Sequence, residues 1–448
     1  MSTIAAICTS QGIGGIGVVR ISGENSIKIA DSVFKSNSKL DKLKGYTAKF
    51  GKIIENGEFI DEAIALVFRA PHSYTGENVV EISCHGGLFL VRRLLRAVLN
   101  AGAELAKAGE FTKRAFLNGK LDLTQAESVI DLINSKTEKS NRLAFDVKQG
   151  VTYKKILSIK EKILDIISSL DAWIDYPEED IPEIKERNLI ENLSVICEKI
   201  NKLINTYDYG KIIKSGIKTV ILGKPNVGKS TLMNLLSGTQ KSIVTDIPGT
   251  TRDVIEETIL LGDIQLSLLD TAGIRKTDNL IEKIGVEKSK DELKTADLVF
   301  VLLDNSRELS QEDIEILDFT KNKKRIVIIN KTDLEKKLNL NFELENIVNF
   351  SAKNEQGLND LKNMLYKIIN IENSDENEVI ISNERQLDCL KRSLKLLNFC
   401  INDLKNNVTL DVITILLQEV LDVLNELTGE NTNEELINKI FSKFCVGK

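Results

Sequence analysis

Residues 223–230 carry the most specific chemical pattern in the chain. They read GKPNVGKS and match the phosphate-binding consensus G-x-x-x-x-G-K-[ST], between a strand-like run, KTVIL, and a helical pattern, TLMNLLSG. The backbone N–H groups of such a loop surround phosphate oxygens, its lysine reaches the β and γ phosphates, and its last hydroxyl ligates Mg²⁺. The predicted nucleotide contacts in this loop are Asn226, Val227, Gly228, Lys229, Ser230 and Thr231, with Lys229 also catalytic and Ser230 a Mg²⁺ ligand.

A second motif, NKTD at 330–333, predicts which purine is bound. It ends an apolar run, RIVII, and ligands of parallel α/β sheets bind at the carboxyl ends of strands. A carboxylate at Asp333 can accept both N1–H and N2–H₂ of guanine, whereas adenine offers no such pair of donors, so GTP is favoured over ATP. We expect Asn330 to buttress the phosphate loop and the segment SAK at 351–353 to offer backbone N–H to guanine O6. The predicted base contacts are Asn330, Lys331, Asp333, Ser351, Ala352 and Lys353.

Two segments between these motifs should sense the γ-phosphate. DTAG at 270–273 is typical of Mg²⁺ and γ-phosphate contacts, and TDIPGTTRD at 245–253 lies where the first switch belongs. Thr250 and Thr251 compete for the second hydroxyl on the Mg²⁺ side, and Thr251 is the predicted ligand. The predicted switch contacts are Thr245, Asp246, Ile247, Pro248, Gly249, Thr250, Thr251, Asp270, Thr271, Ala272 and Gly273.

The position after DTAG raises a question of mechanism. Many nucleotide hydrolases of this kind place a glutamine there to orient the attacking water, but this chain has Ile274. Isoleucine can neither accept a proton nor orient a water, so hydrolysis would have to use other residues.

The order of patterns along the chain predicts the elements that position these loops. At ~150 residues per domain, 448 residues suggest about three domains. Residues 1–118 mix strand runs with a helix near 88–101, residues 119–213 and 376–448 are helical, and residues 214–375 alternate apolar strands with helices. We therefore predict a multidomain fold in which a doubly wound α/β domain is inserted into an all-α domain and preceded by an α+β domain. Within the first helical half, Thr124 and Glu127 predict a capping box.

Composition narrows the class of protein. The longest apolar run is about six residues, far short of the ~20 that span a bilayer, so we predict a cytoplasmic protein that does not enter membranes. The six cysteines, at 8, 84, 197, 389, 400 and 445, form no C-x-x-C pair, which indicates reduced thiols and disfavours a zinc site. With a formal charge of −6, any contact with RNA has to use a local basic patch or be shared with a partner.

One glycine pattern is misleading. Gly12-x-Gly14-x-x-Gly17 matches the dinucleotide fingerprint, but a strand pattern, VVRIS, follows it where a helix is required. We therefore exclude a Rossmann loop there.

Taken together, several stretches resemble one family. The nucleotide motifs are similar to those of the TrmE-Era-EngA group, and GGIGVVRISG, YTGENVVEISCHGG, GEFTKRAFLNGKLDLTQAE, YPEED, ELTGE and the final FCVGK resemble the MnmE (TrmE) family of tRNA modification GTPases. The resemblance extends from residue 4 to 448 and implies a Ras-like G domain within the helical domain, after a folate-binding-like domain at 1–118.

The resemblance implies an answer to the Ile274 question. In this family a potassium ion takes the place of an arginine finger, and the matching residues here are Asn226, Thr245, Ile247 and Thr250. Water activation would pass to Glu282, which the sequence alone would favour as a solvated helix residue. Arg252 and Arg275 are rival arginine fingers.

The resemblance also implies a second ligand and a dimer. The N-terminal domain would mediate homodimerisation and bind 5-formyl- or 5,10-methylene-tetrahydrofolate through Arg20, Glu81, Lys120 and Lys448. Cys445, in the FCVGK motif, would lie near the folate as a catalytic candidate, and a small buried apolar residue is the alternative. Because the folate pocket lies in 1–118, the C-terminal tail must reach back to it or to a partner subunit's copy.

The implied activity is a K⁺-activated hydrolysis of GTP that serves tRNA modification. With a FAD-dependent MnmG/GidA-type partner, in a heterotetramer or larger complex, it would add a carboxymethylaminomethyl or aminomethyl group to C5 of the wobble uridine, U34, of certain tRNAs. FAD and NADH chemistry would belong to the partner. The alternative is a non-modifying ribosome-assembly or scaffold GTPase switch, which would carry the same nucleotide motifs.

Overall fold

A computed structural model of the chain describes residues 1–10, 12–175, 186–239, 257–269, 293–340, 342–369 and 379–448. Its contacts divide the chain into two units. Unit 1 consists of Met1–Asn134, Ala144–Glu198 and Cys389–Lys448, and unit 2 consists of Ser135–Leu143 and Lys199–Asp388. In chain order, most of unit 2 is therefore inserted between two parts of unit 1.

The first part of unit 1 is built on a seven-stranded sheet. Its strands are β1 Ile4–Ile7, β2 Ile16–Ser22, β3 Phe34–Lys35, β4 Thr47–Glu55, β5 Glu58–Phe68, β6 Val79–His85 and β7 Glu104–Leu105. They follow the order β3-β4-β5-β6-β2-β1-β7, and every pair is antiparallel except β1 with β7. Helices α1 (Ser26–Val33) and α2 (Leu88–Asn100) contribute to the core beside this sheet, so the helix predicted near 88–101 is confirmed.

Strand alternation decides which side chains of this sheet are free to form a site. On β2, Val19 and Ile21 are buried in the core, and on β6 Val80 and Ile82 are buried beside them. Because successive side chains of a strand point to opposite faces, the residues between these pairs lie on the other face.

The helical part of unit 1 has an apolar cluster of its own, which includes Leu123, Ala126, Val129, Ile437, Phe441 and Phe444. Five helices lie wholly in unit 1: α3 Glu110–Leu117, α4 Leu123–Asn134, α6 Val151–Asp175, α13 Leu410–Thr428 and α14 Glu434–Phe441. Three more helices have residues in both units: α5 Glu138–Lys148, α7 Glu186–Asn205 and α12 Glu384–Lys405. The ELTGE stretch is bonded to α6, since Lys160 Nζ donates to Glu430 Oε1 at 2.6 Å.

The capping box predicted at Thr124 and Glu127 is wrong by two positions. The cap of α4 is Asp122, whose carboxylate accepts the N–H groups of Thr124 (2.8 Å) and Gln125 (3.2 Å), while the Gln125 side chain accepts the Asp122 N–H at 3.0 Å. Thr124 lies within the first turn of α4 and not before it, so its hydroxyl, which donates to Asp122, is not at the cap position.

Unit 2 contains a six-stranded sheet with helices around it. The strands are β8 Ile217–Leu222, β9 Glu257–Leu261, β10 Ile264–Leu268, β11 Leu298–Asp304, β12 Arg325–Asn330 and β13 Ile347–Asn349, and the helices are α8 Tyr207–Ser215, α9 Lys229–Thr239, α10 Gln311–Phe319 and α11 Leu358–Ile368. The order is β13-β12-β11-β8-β10-β9, with all neighbouring strands parallel except β9 and β10.

Both faces of this sheet are covered by apolar side chains. Along β11, Phe300 and Leu302 belong to one core cluster, whereas Val299, Val301 and Leu303 belong to the other. Burial on both faces explains why the strand reads as a continuous apolar run. The predicted Ras-like, doubly wound α/β domain is confirmed, and with it the multidomain fold class.

Within the described residues, no helix is both long enough and apolar enough to cross a membrane.

Candidate functional site

The phosphate-binding loop follows β8 and has the backbone that its glycines predict. Gly223 (φ +154°) and Gly228 (φ +100°) lie in the region that side chains rarely adopt, and Asn226 (φ +66°) is left-handed. A Cβ on Gly228 would lie 2.2 Å from Asn330 Nδ2, and one on Gly223 would lie 2.7 Å from the Leu302 carbonyl oxygen. Glycine is therefore required at both positions by conformation and by space.

The loop lysine turns back over this backbone. Lys229 Nζ donates to the carbonyl oxygens of Gly223 and Lys224, the latter at 3.3 Å, and burial lowers the pKa of the Lys229 amine. Ser230 and Thr231 follow in the first turn of α9, where free N–H groups favour anions, and Ser230 is exposed.

Asn330 joins the base motif to the phosphate loop. Its Nδ2 donates to the Val227 carbonyl oxygen at 2.8 Å, and its Oδ1 accepts the Ala352 N–H at 3.1 Å. Asn330 is almost fully buried, so both hydrogen bonds are protected from water. One amide side chain thus fixes three segments: the phosphate loop, the end of β12 and the SAK segment.

Asp333 is held ready to accept hydrogen bonds. Ser351 Oγ donates to Asp333 Oδ1 at 2.7 Å, and this bond is the main reason that the pKa of the Asp333 carboxyl lies below its usual value. Ser351 Oγ in turn accepts the Asn354 N–H at 3.3 Å. Asp333 is exposed, so an ionised carboxylate faces outward from the sheet edge.

Lys331 has a charged partner that its sequence motif did not predict. Lys331 (φ +62°) donates from Nζ to Asp304 Oδ2 at 2.6 Å. Burial would raise the pKa of Asp304, but this bond and those from Ser306 lower it overall. Asp304 is directly opposite Asn330 in the β11–β12 register, so strand pairing was the signal that could have revealed it.

Several predicted site residues lie outside the described residues. They are Thr245, Asp246, Ile247, Pro248, Gly249, Thr250, Thr251, Asp270, Thr271, Ala272, Gly273 and Glu282, together with Ile274, Arg252 and Arg275.

A separate cluster in unit 1 contains two of the predicted folate ligands. Arg20 on β2 and Glu81 on β6 are opposite one another in the strand register, and Arg20 Nε donates to Glu81 Oε1 at 2.7 Å. The guanidinium carbon of Arg20 lies 5.5 Å from the ring centroids of both Tyr74 and Phe111. Burial would lower the pKa of Arg20, but Cys8 and Glu81 raise it overall, so the cation is retained.

The C-terminal tail reaches this cluster within the same chain. Val446 pairs with Ala108 in an antiparallel bridge, and the Lys448 carbonyl oxygen accepts the Phe111 N–H at 3.2 Å. Gly447 (φ +95°) lies so close to β1 that an added Cβ would be 2.3 Å from the Ile7 carbonyl oxygen.

Two cysteines at this tail differ in exposure. Cys445 is exposed, so the alternative of a buried apolar residue does not hold. Cys8, which the sequence indicated only as one of six reduced thiols, donates from Sγ to the Gly447 carbonyl oxygen at 3.3 Å. Burial raises the pKa of the Cys8 thiol, while Arg20 and Lys448 act in the opposite direction.

The fourth predicted folate ligand contacts a neighbouring loop. Lys120 Nζ donates to the Pro71 carbonyl oxygen at 3.2 Å, in the loop that also carries Tyr74. The structure therefore brings Arg20 and Glu81 into direct contact, places Lys448 in the same electrostatic cluster, and attaches Lys120 to the loop at its border.

The fold and nucleotide site of unit 2 define a P-loop GTPase. Comparisons with known proteins extend this result to the whole chain: a family model for the "MnmE helical domain" matches residues 123–445, and one for the "GTP-binding protein TrmE N-terminus" matches residues 3–120. The chain is 43% identical to the tRNA modification GTPase MnmE of Clostridioides difficile over 456 residues, covering 100% of this chain and 99% of that protein. It is 45% identical to the tRNA modification GTPase MnmE of Thermoanaerobacter pseudethanolicus over 457 residues, with the same coverage. The chain belongs to the MnmE family.

A solved structure of Era from Aquifex aeolicus, bound to GDP and AlF₄⁻, is 29% identical and covers 40% of this chain and 66% of that chain, with a TM-score of 0.26.

Proposed function

We propose that the chain binds and hydrolyses GTP to serve the modification of tRNA. The observation that carries this proposal is the contact of Asn330 with Val227, because it joins a guanine-type base motif to a phosphate loop. The named activity of the full-length relatives supports the same conclusion.

The proposed hydrolytic residues belong to the phosphate loop and to segments that follow it in the sequence. Glu282 would activate water in place of the missing glutamine, Lys229 would contact the β and γ phosphates, and Ser230 and Thr251 would ligate Mg²⁺. Asn226 and the oxygens of Thr245, Ile247 and Thr250 would hold K⁺. When bound, the ion would supply positive charge to the phosphates in place of an arginine finger; such a finger is worth ~10³–10⁵ in rate.

The described residues are compatible with these ions. Asn226 is exposed and ends in an amide oxygen, and the Ser230 hydroxyl is exposed at the start of α9. Asparagine also tolerates the left-handed backbone of position 226, so its residue type satisfies a conformational need as well.

GTP turnover in matched salts tests the hydrolytic proposal. We expect the wild-type protein to hydrolyse GTP faster in KCl than in NaCl at equal ionic strength, and Glu282→Ala to bind GTP normally but turn it over at least about 100-fold more slowly. Glu315→Ala, an exposed glutamate of α10, is the matched control and should behave as wild type. Equal rates in the two salts would remove K⁺ from the mechanism, and a fully active Glu282→Ala would remove the glutamate.

The modification chemistry is proposed to involve a second ligand and a second protein. Arg20, Glu81, Lys120 and Lys448 would hold a 5-formyl- or 5,10-methylene-tetrahydrofolate, which supplies a one-carbon unit when bound. The paired charges of Arg20 and Glu81 suit a pterin edge and a carboxylate tail, and the half-buried ring of Tyr74 beside Arg20 suits a flat ligand. Cys445 lies exposed on the tail as a candidate for catalysis.

The proposed acceptor is C5 of the wobble uridine, U34, in a complex with a FAD-dependent MnmG/GidA-type protein. The net charge of −6 agrees with sharing the tRNA contacts with that partner. Mass spectrometry of tRNA nucleosides from a deletion strain tests this step: loss of carboxymethylaminomethyl or aminomethyl uridine supports it. Unchanged nucleosides together with defective ribosomal subunits would favour the ribosome-assembly alternative.

A homodimer is proposed through the N-terminal domain. Phe50 and Ile64 are opposite one another on β4 and β5, and both are exposed, as is Phe59 on β5. Paired exposed apolar side chains on a sheet face suit burial against a second copy. Sedimentation should show a dimer that Phe50→Glu converts to a monomer, and an unchanged dimer would place the interface elsewhere.

A further inference from the structure

The second residue of the phosphate loop, Lys224, makes a contact that the nucleotide motifs do not require. Its Nζ lies 2.7 Å from Asp313 Oδ2 and 2.7 Å from Ser310 Oγ. The Lys224 side chain is 16% exposed and that of Asp313 is 6% exposed, so this ion pair is largely shielded from water. Shielded pairs are held more firmly than surface pairs, because losing one partner leaves a buried charge.

Asp313 is itself fixed by the start of α10. Ser310 caps this helix, and Asp313 Oδ2 accepts both the Ser310 N–H (3.0 Å) and the Ser310 hydroxyl (2.9 Å). Its Oδ1 is buried and has no hydrogen-bond partner among the described residues. Lys224 therefore provides the cationic partner for a carboxylate that is otherwise satisfied only by the helix cap.

The backbone of Lys224 belongs to the phosphate site. Its carbonyl oxygen accepts a hydrogen bond from Lys229 Nζ at 3.3 Å. Pro225 follows, and a proline restricts the residue before it to an extended conformation. The side chain of Lys224 thus attaches the N-terminal half of the loop to the start of α10. Its carbonyl oxygen accepts a hydrogen bond from Lys229, the lysine proposed to contact the phosphates.

We propose that Lys224 is a positioning residue, which fixes the phosphate loop through Asp313 and the start of α10. The loop then has two attachments: Lys224 in its N-terminal half, and Val227, which accepts the hydrogen bond from Asn330, in its C-terminal half. The inference rests on the proposed GTP binding, because its consequence is the affinity for nucleotide. Holding the loop in its binding conformation before the ligand arrives lowers the ordering cost of binding.

A direct contact of Lys224 with phosphate is the competing explanation. The two explanations differ in what Asp313 does. If Lys224 positions the loop, neutralising Asp313 weakens nucleotide binding, since the attachment is lost. If Lys224 binds phosphate directly, neutralising Asp313 releases the amine and strengthens binding.

The test is a double-mutant cycle on the full-length protein with Lys224→Met, Asp313→Asn and the double variant, together with Lys224→Arg. The readouts are the Kd for fluorescent mant-GDP and the KM and kcat for GTP. Lys224→Met and Asp313→Asn should each raise Kd and KM roughly tenfold, equivalent to ~1.4 kcal/mol, with kcat within about twofold of wild type. Lys224→Arg should restore most of the affinity, and the double variant should be no worse than the weaker-binding single variant.

Lys218→Met is the control, because Lys218 is an exposed lysine near the start of β8, the strand that precedes the loop, and lies outside the loop itself. The proposal would be overturned if both single variants bound nucleotide within twofold of wild type. It would also be overturned if the losses of affinity in the two single variants added up in the double variant, or if Asp313→Asn bound more tightly than wild type. If Lys224→Met does not fold, Asp313→Asn decides, since it preserves the shape of the side chain. Failure of the wild-type protein to bind mant-GDP would instead refute the proposed function.

Discussion

The amide of Asn330 lies against the phosphate loop, with its Nδ2 2.8 Å from the Val227 carbonyl oxygen, and thereby couples two recognition elements that are far apart in sequence. The same side chain accepts the Ala352 N–H, so the base motif, the SAK segment and the phosphate loop share one buried group. A disturbance of this amide should therefore weaken both base and phosphate recognition.

Replacing Asn330 by alanine should lower the affinity for GDP about 10- to 100-fold. The change leaves the Val227 carbonyl and the Ala352 N–H buried without a partner, at a cost of ~1–3 kcal/mol each. Isothermal titration with GDP measures the effect, and Asn349→Ala, at an exposed position near the end of β13, is the control. Affinities that match between the two variants would show that the amide does not organise the site.

Asp333→Asn should exchange the base preference. The ionised carboxylate accepts two donors from guanine, whereas an asparagine amide offers a donor that suits the 2-oxo group of xanthine. We expect the affinity for GDP to fall by about 100-fold or more and that for xanthosine diphosphate to rise. Competition with labelled GDP measures both, and a variant that still prefers guanine would exclude Asp333 as the base contact.

The sequence predicted the parts of the fold and site that depend on local pattern. The apolar run of β11 indicated a strand buried on both faces, and the glycines at 223 and 228 predicted the loop backbone, because few other residues adopt those angles. The expected contact of Asn330 with the loop is present as well, since the order of motifs along a parallel sheet places them at one edge.

Contacts between distant segments could not be predicted in the same way. Nothing in the local sequence pairs Lys331 with Asp304 or Lys224 with Asp313, because strand register and helix position decide those pairs. The buried cation Arg114, which bonds to Glu77, was missed for the same reason. The cap of α4 was misplaced because Asp122, the residue before the helix, accepts the free N–H groups, whereas Thr124, which the pattern had favoured, lies inside the first turn.

Glu81→Gln should weaken folate binding by at least about tenfold. The substitution preserves shape but removes the charge that Arg20 pairs with at 2.7 Å and that can accept hydrogen bonds from a pterin edge. Fluorescence titration with 5-formyl-tetrahydrofolate measures the affinity. Glu62→Gln, an exposed glutamate on the neighbouring strand β5, should bind as wild type. Unchanged binding by Glu81→Gln would remove Glu81 from the folate site.

Gly447→Ala should increase the reactivity of Cys8. At this position a Cβ would lie 2.3 Å from the Ile7 carbonyl oxygen, so the tail must move away from β1 and uncover the Cys8 thiol that donates to the Gly447 carbonyl oxygen. Because burial is the main cause of the raised pKa of Cys8, exposure lowers that pKa toward its ordinary value. Each unit by which the pKa of Cys8 falls raises its thiolate fraction at pH 8 about tenfold, and the thiolate is the form that reacts.

The reactivity is measured by iodoacetamide labelling and peptide mass spectrometry between pH 7 and 10, with the exposed Cys445 as the internal reference. In the wild-type protein, Cys8 should be labelled more slowly than Cys445 at pH 8, and its labelling rate should gain on that of Cys445 as the pH rises toward the raised pKa of Cys8. In Gly447→Ala this gain should begin at lower pH. Gly102→Ala is the matched control, because Gly102 also has a positive φ but no atom within 4 Å of an added Cβ. If Gly447→Ala and Gly102→Ala label Cys8 at the wild-type rate, the tail does not shield Cys8. The C-terminal motif would then have to act on the folate cluster without closing over β1.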